Sequence, residues 1–83
     1  MKTVKVLYFA AVRDKLGRAE EELELPEGTA TIGDFGRHLE RIHPELRGAL
    51  ASLRYAVNES FVELGHRLEP GDVIAVIPPV AGG

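Results

Sequence analysis

Apolar and polar positions alternate along the chain in several short runs. Val4-Lys5-Val6-Leu7-Tyr8-Phe9 is rich in β-branched and aromatic residues and reads as a strand. Val4, Val6 and Tyr8 fall on one face, and Lys5, Leu7 and Phe9 on the other. Ala10–Leu16 follows as a short helix closed by Gly17. Glu20-Glu21-Glu22-Leu23-Glu24-Leu25 alternates at its end, with Leu23 and Leu25 inward and the glutamates outward. Such acidity suits a solvated edge strand that must not pair with other molecules. Pro26-Glu27-Gly28 is a turn. Thr31-Ile32-Gly33-Asp34 resembles a capping box with Asp in place of Glu, opening a helix with Ile32, Phe35, Leu39 and Ile42 on one stripe. Gly33 and Gly36 each cost that helix up to about 1 kcal/mol against alanine. Pro44 breaks the pattern and opens a second helix with Leu46, Leu50 and Leu53 inward.

The second half reads as strands. Tyr55-Ala56-Val57 is a short strand, Asn58-Glu59-Ser60 a turn, and Phe61-Val62-Glu63-Leu64 a further strand. Glu69-Pro70-Gly71-Asp72 fits a type II turn, with Gly71 supplying positive φ at its third position. Val73–Ile77 is apolar throughout, as a buried central strand is. The order of elements predicts an α+β fold, a small mixed sheet packed on one main helix plus short helices. The domain is expected over residues 1–77, with 78–83 as an extended tail.

Composition changes this picture mainly by exclusion. A chain of 83 residues supports one domain with a modest core. Net charge is −3, with a pI near 5.5, which argues against a nucleic-acid backbone as partner. There is no cysteine, so there is no disulfide framework, thiolate metal site or cysteine nucleophile. No stretch approaches a membrane span. The apolar run behind Lys2 and Lys5 has a superficial signal-peptide look, but it runs into Arg13-Asp14-Lys15 without a convincing cleavage site. The expected location is the cytoplasm, with no nucleic-acid or membrane partner.

Conventional catalytic patterns do not form. His38 and His43 lie five apart, about 140° round a helix, so they do not chelate as an i, i+4 pair would. His66 falls in a turn, and Ser52 and Ser60 lack a nucleophile elbow. Gly33 and Gly36 are not a phosphate loop. Arg37, Arg41, Arg47 and Arg54 are scattered among acids as a solvated face, and a metal site on the glutamate run is the weaker reading of that stretch.

The last six residues are different. Pro78-Pro79 stop the preceding strand and favour a stiff extended form, and Val80-Ala81-Gly82-Gly83 follow. Six extended residues reach roughly 20 Å, enough to enter a deep pocket on another protein. Glycine at 82 and 83 leaves no side chain beside the terminal carboxylate, so the tail can thread a narrow channel. A carboxylate is a poor electrophile, and chemistry there requires prior activation, usually adenylation by ATP on a partner enzyme. A frayed end that happens to be glycine is the bland alternative. A second feature is parity: one main helix and short ones cover one sheet face, leaving Leu7, Phe9, Ala75 and Ile77, with Phe61 nearby, on the other. An uncovered apolar patch of this kind marks a protein partner, unless Ala10–Leu16 or the loops cover it.

Val6-Leu7-Tyr8-Phe9-Ala10-Ala11-Val12-Arg13, Ala56-Val57-Asn58, Gly71-Asp72 and Pro78-Pro79-Val80-Ala81-Gly82-Gly83 together resemble the small subunit of molybdopterin synthase. The resemblance spans nearly the whole chain and implies the ubiquitin-like β-grasp fold. It implies a sulfur carrier whose Gly83 is adenylated with ATP by a ubiquitin-activating-type adenylyltransferase. A sulfur donor protein then converts the adenylate to a thiocarboxylate. The tail, Pro78, Pro79, Val80, Ala81, Gly82 and Gly83, inserts into the large synthase subunit, which Phe9, Phe61 and Ile77 also contact. There the sulfur passes to cyclic pyranopterin monophosphate to build the molybdopterin dithiolene. The implied assembly is a heterotetramer, and the implied ATP is used by the activating enzyme, with no cofactor bound by this chain. Three other functions share some of these features: a thiamine-pathway sulfur carrier, a protein modifier forming isopeptide bonds, and a plain interaction domain with an inert end.

Overall fold

The computed structural model describes residues 2–48 and 52–79. Its sheet joins β1 (Lys2–Tyr8), β2 (Glu20–Leu25), β3 (Arg54–Val57), β4 (Ser60–Val62) and β5 (Val73–Ile77) in the order β2-β1-β5-β3-β4. β1 and β5 run parallel at its centre, and all other pairs are antiparallel. The predicted α+β layout and mixed sheet are borne out.

Helix α1 (Ala10–Leu16) leaves β1 through Ala10, whose φ of 49° is left-handed, and ends at Gly17. The sharp turn costs Ala10 about 1 kcal/mol. Helix α2 (Ile32–Ile42) crosses the sheet. Its predicted capping box forms: Thr31 Oγ1 accepts from Asp34 N at 3.2 Å, and Asp34 Oδ2 accepts from Thr31 N at 3.1 Å. Ile32 and Gly33 donate their backbone N–H groups to His66 O and Leu64 O, both at 2.9 Å. The first turn of α2 therefore has no donors left over for an anion.

The inner sheet face carries Val4, Val6, Tyr8, Tyr55, Val57, Ile74 and Val76, all buried. They pack with Ile32, Phe35 and Leu39 of α2, Val12 of α1, Leu46 and Leu68 in one cluster. Burying each large side chain of this kind contributes about 1.5–3 kcal/mol. Gly36 is explained by proximity: a Cβ there would sit 3.0 Å from Tyr55 Oη. The phenol of Tyr55 fills the space that a side chain on the helix would take, while its ring meets Phe35 edge-on at 6.1 Å.

Several boundaries differ from the sequence expectation. β1 spans Lys2–Tyr8, not Val4–Phe9, and Phe9 is the N-cap of α1. Ile42 is not on the buried stripe but 40% exposed, because α2 ends there and His43 takes the cap. Among the described residues, the expected second helix opens as a 3₁₀ turn, Pro44–Leu46, with Leu46 buried and Leu53 half-buried. The position expected of Leu50 lies outside the described residues. β4 stops at Val62, since Glu63 to His66 form a turn in which His66 N donates to Glu63 O at 3.0 Å, so Leu64 is exposed. Glu21 faces inward rather than outward, for it shares its face with Leu23 and Leu25 and pairs with buried Val6.

Candidate functional site

The outer face of the sheet is a candidate docking surface, built by register. Leu7 pairs with Ala75, Ala75 with Ala56, and Ala56 with Phe61. Paired residues share a face, so these four side chains form one row across β1, β5, β3 and β4. Ala75 and Ala56 are small and make a low floor, with Leu7 and Phe61 standing at its ends. Phe61 is 66% exposed and Phe9 43%, while Leu7, Ala75 and Ile77 are half-buried. Neither α1 nor α2 covers this face, because the buried residues of both join the core on the other side. The uncovered apolar patch inferred from strand parity is present.

The same face holds the root of the tail. β5 ends at Ile77, opposite Arg54 of β3, and Pro78 and Pro79 follow outside any strand, half-buried and exposed. Phe9 N donates to Val76 O at 3.3 Å, tying the end of β1 to β5 one residue before Ile77. Val80, Ala81, Gly82 and Gly83 lie outside the described residues. Phe61 and Ile77 are thus brought to one face of the sheet, with Phe9 at the end of β1 and Pro78 directly after Ile77, though Phe61 sits at the far edge from Phe9, across β5 and β3.

The start of β5 is pinned by a second set of contacts. Asn58 and Glu59 both have positive φ, 50° and 74°, and make the two-residue loop between β3 and β4. Asn58 Oδ1 accepts from Val73 N at 3.0 Å, and Asn58 Nδ2 donates to Asp72 Oδ1 at 3.0 Å. Asp72 Oδ2 accepts from Glu69 N at 2.8 Å, across the Pro70-Gly71 turn, where Gly71 has φ 87°. Asn58 and Asp72, expected from the sequence as turn and motif residues, therefore fasten the β3–β4 loop to β5.

On the inner face Glu21 accepts hydrogen bonds from Tyr8 and from His43 Nε2, the latter at 2.7 Å, and pairs with Arg18 at 2.7 Å. Burial pushes the Glu21 carboxyl up, but the bonds from Tyr8 and His43 and the charge of Arg18 outweigh it and hold it below its usual value. Burial, reinforced by Glu21, keeps the Tyr8 phenol protonated well above its ordinary range. Burial also pushes Tyr55 up to about 12, and lowers His38, with Arg41 adding to it. Sequence reading missed the Glu21 cluster, although strict alternation back from Leu25 would have turned Glu21 inward. Among the described residues no group of His, Asp and Glu side chains could hold a metal ion.

Residues 6–83 match the ThiS family. The chain belongs to this family. Among its ThiS-family relatives, the molybdopterin synthase sulfur carrier subunit of Mycobacterium tuberculosis is 40% identical, over 96% of each chain. That of Homo sapiens is 37% identical, over 96% of this chain and 93% of the relative. A solved structure from Pyrococcus furiosus, described as molybdopterin converting factor subunit 1, superposes with a TM-score of 0.83 at 36% identity, covering 96% of this chain and all of that one. Caldiarchaeum subterraneum ubiquitin shares the fold alone, with a TM-score of 0.65 at 16% identity over 99% and 98% of the two chains. The fold is the ubiquitin-like β-grasp.

Proposed function

We propose that this ThiS-family chain is the sulfur carrier subunit of molybdopterin synthase and that Gly83 is the carrying site. The observation that carries the reading is the placement of β5. This central strand contributes Ala75 to the outer apolar row and leads directly into Pro78-Pro79, in a chain whose relatives are named sulfur carrier subunits. The rigid β-grasp body supplies a docking face, and the tail supplies reach.

The chemistry belongs to the terminus. On a ubiquitin-activating-type adenylyltransferase, a Gly83 carboxylate oxygen attacks the α-phosphorus of ATP, and pyrophosphate leaves. A sulfur donor protein then delivers sulfur at the sulfide level to the acyl carbon; a C–S bond forms as the C–O bond to AMP breaks. The resulting thiocarboxylate is a softer nucleophile than a carboxylate and attacks an electrophilic carbon of cyclic pyranopterin monophosphate, forming a C–S bond as a carbon–oxygen bond of the substrate breaks. Water then cleaves the acyl C–S bond, which leaves the sulfur on the pterin and returns Gly83 to a carboxylate. This happens with the tail, Pro78 to Gly83, inserted in the large subunit and with Phe9, Phe61 and Ile77 against its surface. The body acts by holding the reacting carbon in place, an effect that can be worth up to roughly 7–11 kcal/mol. The working assembly is a heterotetramer of two carriers and two large subunits in the cytoplasm.

Reconstitution of sulfur transfer with a chain lacking Gly83 tests the reading. Transfer should be abolished, with folding and large-subunit binding unchanged, because the described core is built from residues between Val4 and Val76. Full transfer by the shortened chain would overturn it. Lysine-linked conjugates of the intact chain as the main product would point instead to a protein modifier.

A further inference from the structure

Strand β2 carries a carboxylate where its own pattern asks for an apolar side chain. Glu21, Leu23 and Leu25 share the inner face, and Val6, the partner of Glu21, has no exposure. The carboxylate is fully engaged there. Oε2 accepts from both Tyr8 Oη and His43 Nε2, and Oε1 accepts from Arg18 Nη1. Tyr8 reaches it diagonally across the β1–β2 pair, the distance a long aromatic side chain spans. His43 comes from the C-cap of α2, and its ring meets Tyr8 edge-on at 6.1 Å.

The hydrophobic pattern of β2 does not by itself fix how the strand pairs. A slip of one residue is forbidden, since it would turn every side chain to the opposite face. A slip of two is not. It would set Leu23 opposite Val6 and Leu25 opposite Val4, keeping each residue on its own face and giving both valines a leucine partner. β2 is an edge strand with β1 as its one neighbour, so no second strand vetoes the move. The slip would carry Glu21 about 7 Å along β1, from opposite Val6 to opposite Tyr8, and so out of the place where it meets both Tyr8 Oη and His43 Nε2. It would also place Glu22 instead of Glu20 beside Leu7, changing the rim of the outer apolar row.

We propose that Glu21, held by Tyr8 and His43, is a register pin that selects one pairing of β2 with β1 from the two that the apolar pattern permits. Polar groups placed in a core to fix register at the cost of some stability are the best-attested use of such residues. The inference concerns this chain's own sheet and stands apart from the sulfur-carrier reading.

The test is NMR on Glu21→Leu and Glu21→Gln variants of the full chain. Glu21→Leu completes the apolar stripe, so it should fold, yet show two sets of β2 amide signals, one with cross-strand contacts from Val6 to Leu23. Glu21→Gln keeps an acceptor for both donors and should show a single set with Val6 opposite residue 21. One set of signals and the original pairing in Glu21→Leu would overturn the proposal. Tyr8→Phe, which removes only the hydroxyl, gives a second check that does not depend on the fate of the leucine variant. It should lower hydrogen-exchange protection in β2 by about fivefold, the equivalent of one hydrogen bond near 1 kcal/mol. Unchanged protection there, or a loss spread evenly over the sheet, would count against the pin.

Discussion

Asn58 shows how one side chain can hold two elements together. Its amide bonds both Asp72 Oδ1, on a residue only 9% exposed, and Val73 N, whose bond faces solvent. Asn58→Ala should cost about 1–3 kcal/mol, because it leaves an oxygen of the buried Asp72 carboxylate without its amide donor and puts alanine at a left-handed φ of 50°. Urea unfolding checks this, with a shifted midpoint and an unchanged slope. The Tyr8–Glu21 pair makes a prediction about pH. The folded pKa of Tyr8 lies above its ordinary value of 10.0, so its contribution is full below about pH 10 and is lost as pH rises further. The folded pKa of Glu21 lies below 4.5, so its contribution is present above about pH 4.5 and fades as pH falls. The stability difference between the native chain and Tyr8→Phe should therefore be flat just below pH 10 and shrink above it. A difference that grows with alkalinity would contradict the assignment.

Among the elements, α2 offers the sharpest test of packing against propensity. Gly36→Ala would gain up to about 1 kcal/mol if intrinsic helix preference decided the outcome. The added Cβ would instead meet Tyr55 Oη at 3.0 Å, with the ring already held against Phe35. The substitution should therefore be neutral or destabilising in thermal unfolding, and Tyr55→Phe in the same chain should restore the gain. Additive effects of the two changes would show that the contact is unimportant. This helix also shows what the sequence discloses. Its start was legible from Thr31 and Asp34, since a capping box is a local device written within four residues. Gly36 was not, because its reason lies on β3, nineteen positions away in sequence (36 to 55). The strand faces were read from alternation, and the outer row of Leu7, Ala75 and Phe61 followed. The inward Glu21 is not legible from its charge, which argues for the solvent side, whereas the pleat turns it inward. The local pattern extends β4 to Leu64, but the turn at Glu63 to His66 brings backbone carbonyls to α2, a long-range demand invisible in that pattern.

At the scale of the whole molecule, the body and the tail have separable duties. The core and α2 fix the inner face, while the proposed function assigns the outer face and Pro78-Pro79 to a partner. Replacing Phe61 or Ile77 with aspartate should weaken binding to the large subunit by more than about 2 kcal/mol, the loss expected at an interface anchor, while the fold survives. Both are on the solvent side of the sheet, Phe61 at 66% exposure, so titration calorimetry beside circular dichroism separates the two effects. Unchanged affinity in both variants would remove the outer face from the account. The central claim is that Gly83 carries sulfur, in a chain with no cysteine thiol to carry it instead. The most direct measurement is the intact mass of the chain after incubation with its activating enzyme, ATP and a sulfur source, followed by mass analysis of its C-terminal peptide. The account predicts one oxygen-to-sulfur exchange, located on Gly83. Sulfur found on any other residue, or an unmodified chain after ATP has been turned over to an adenylate, would contradict it.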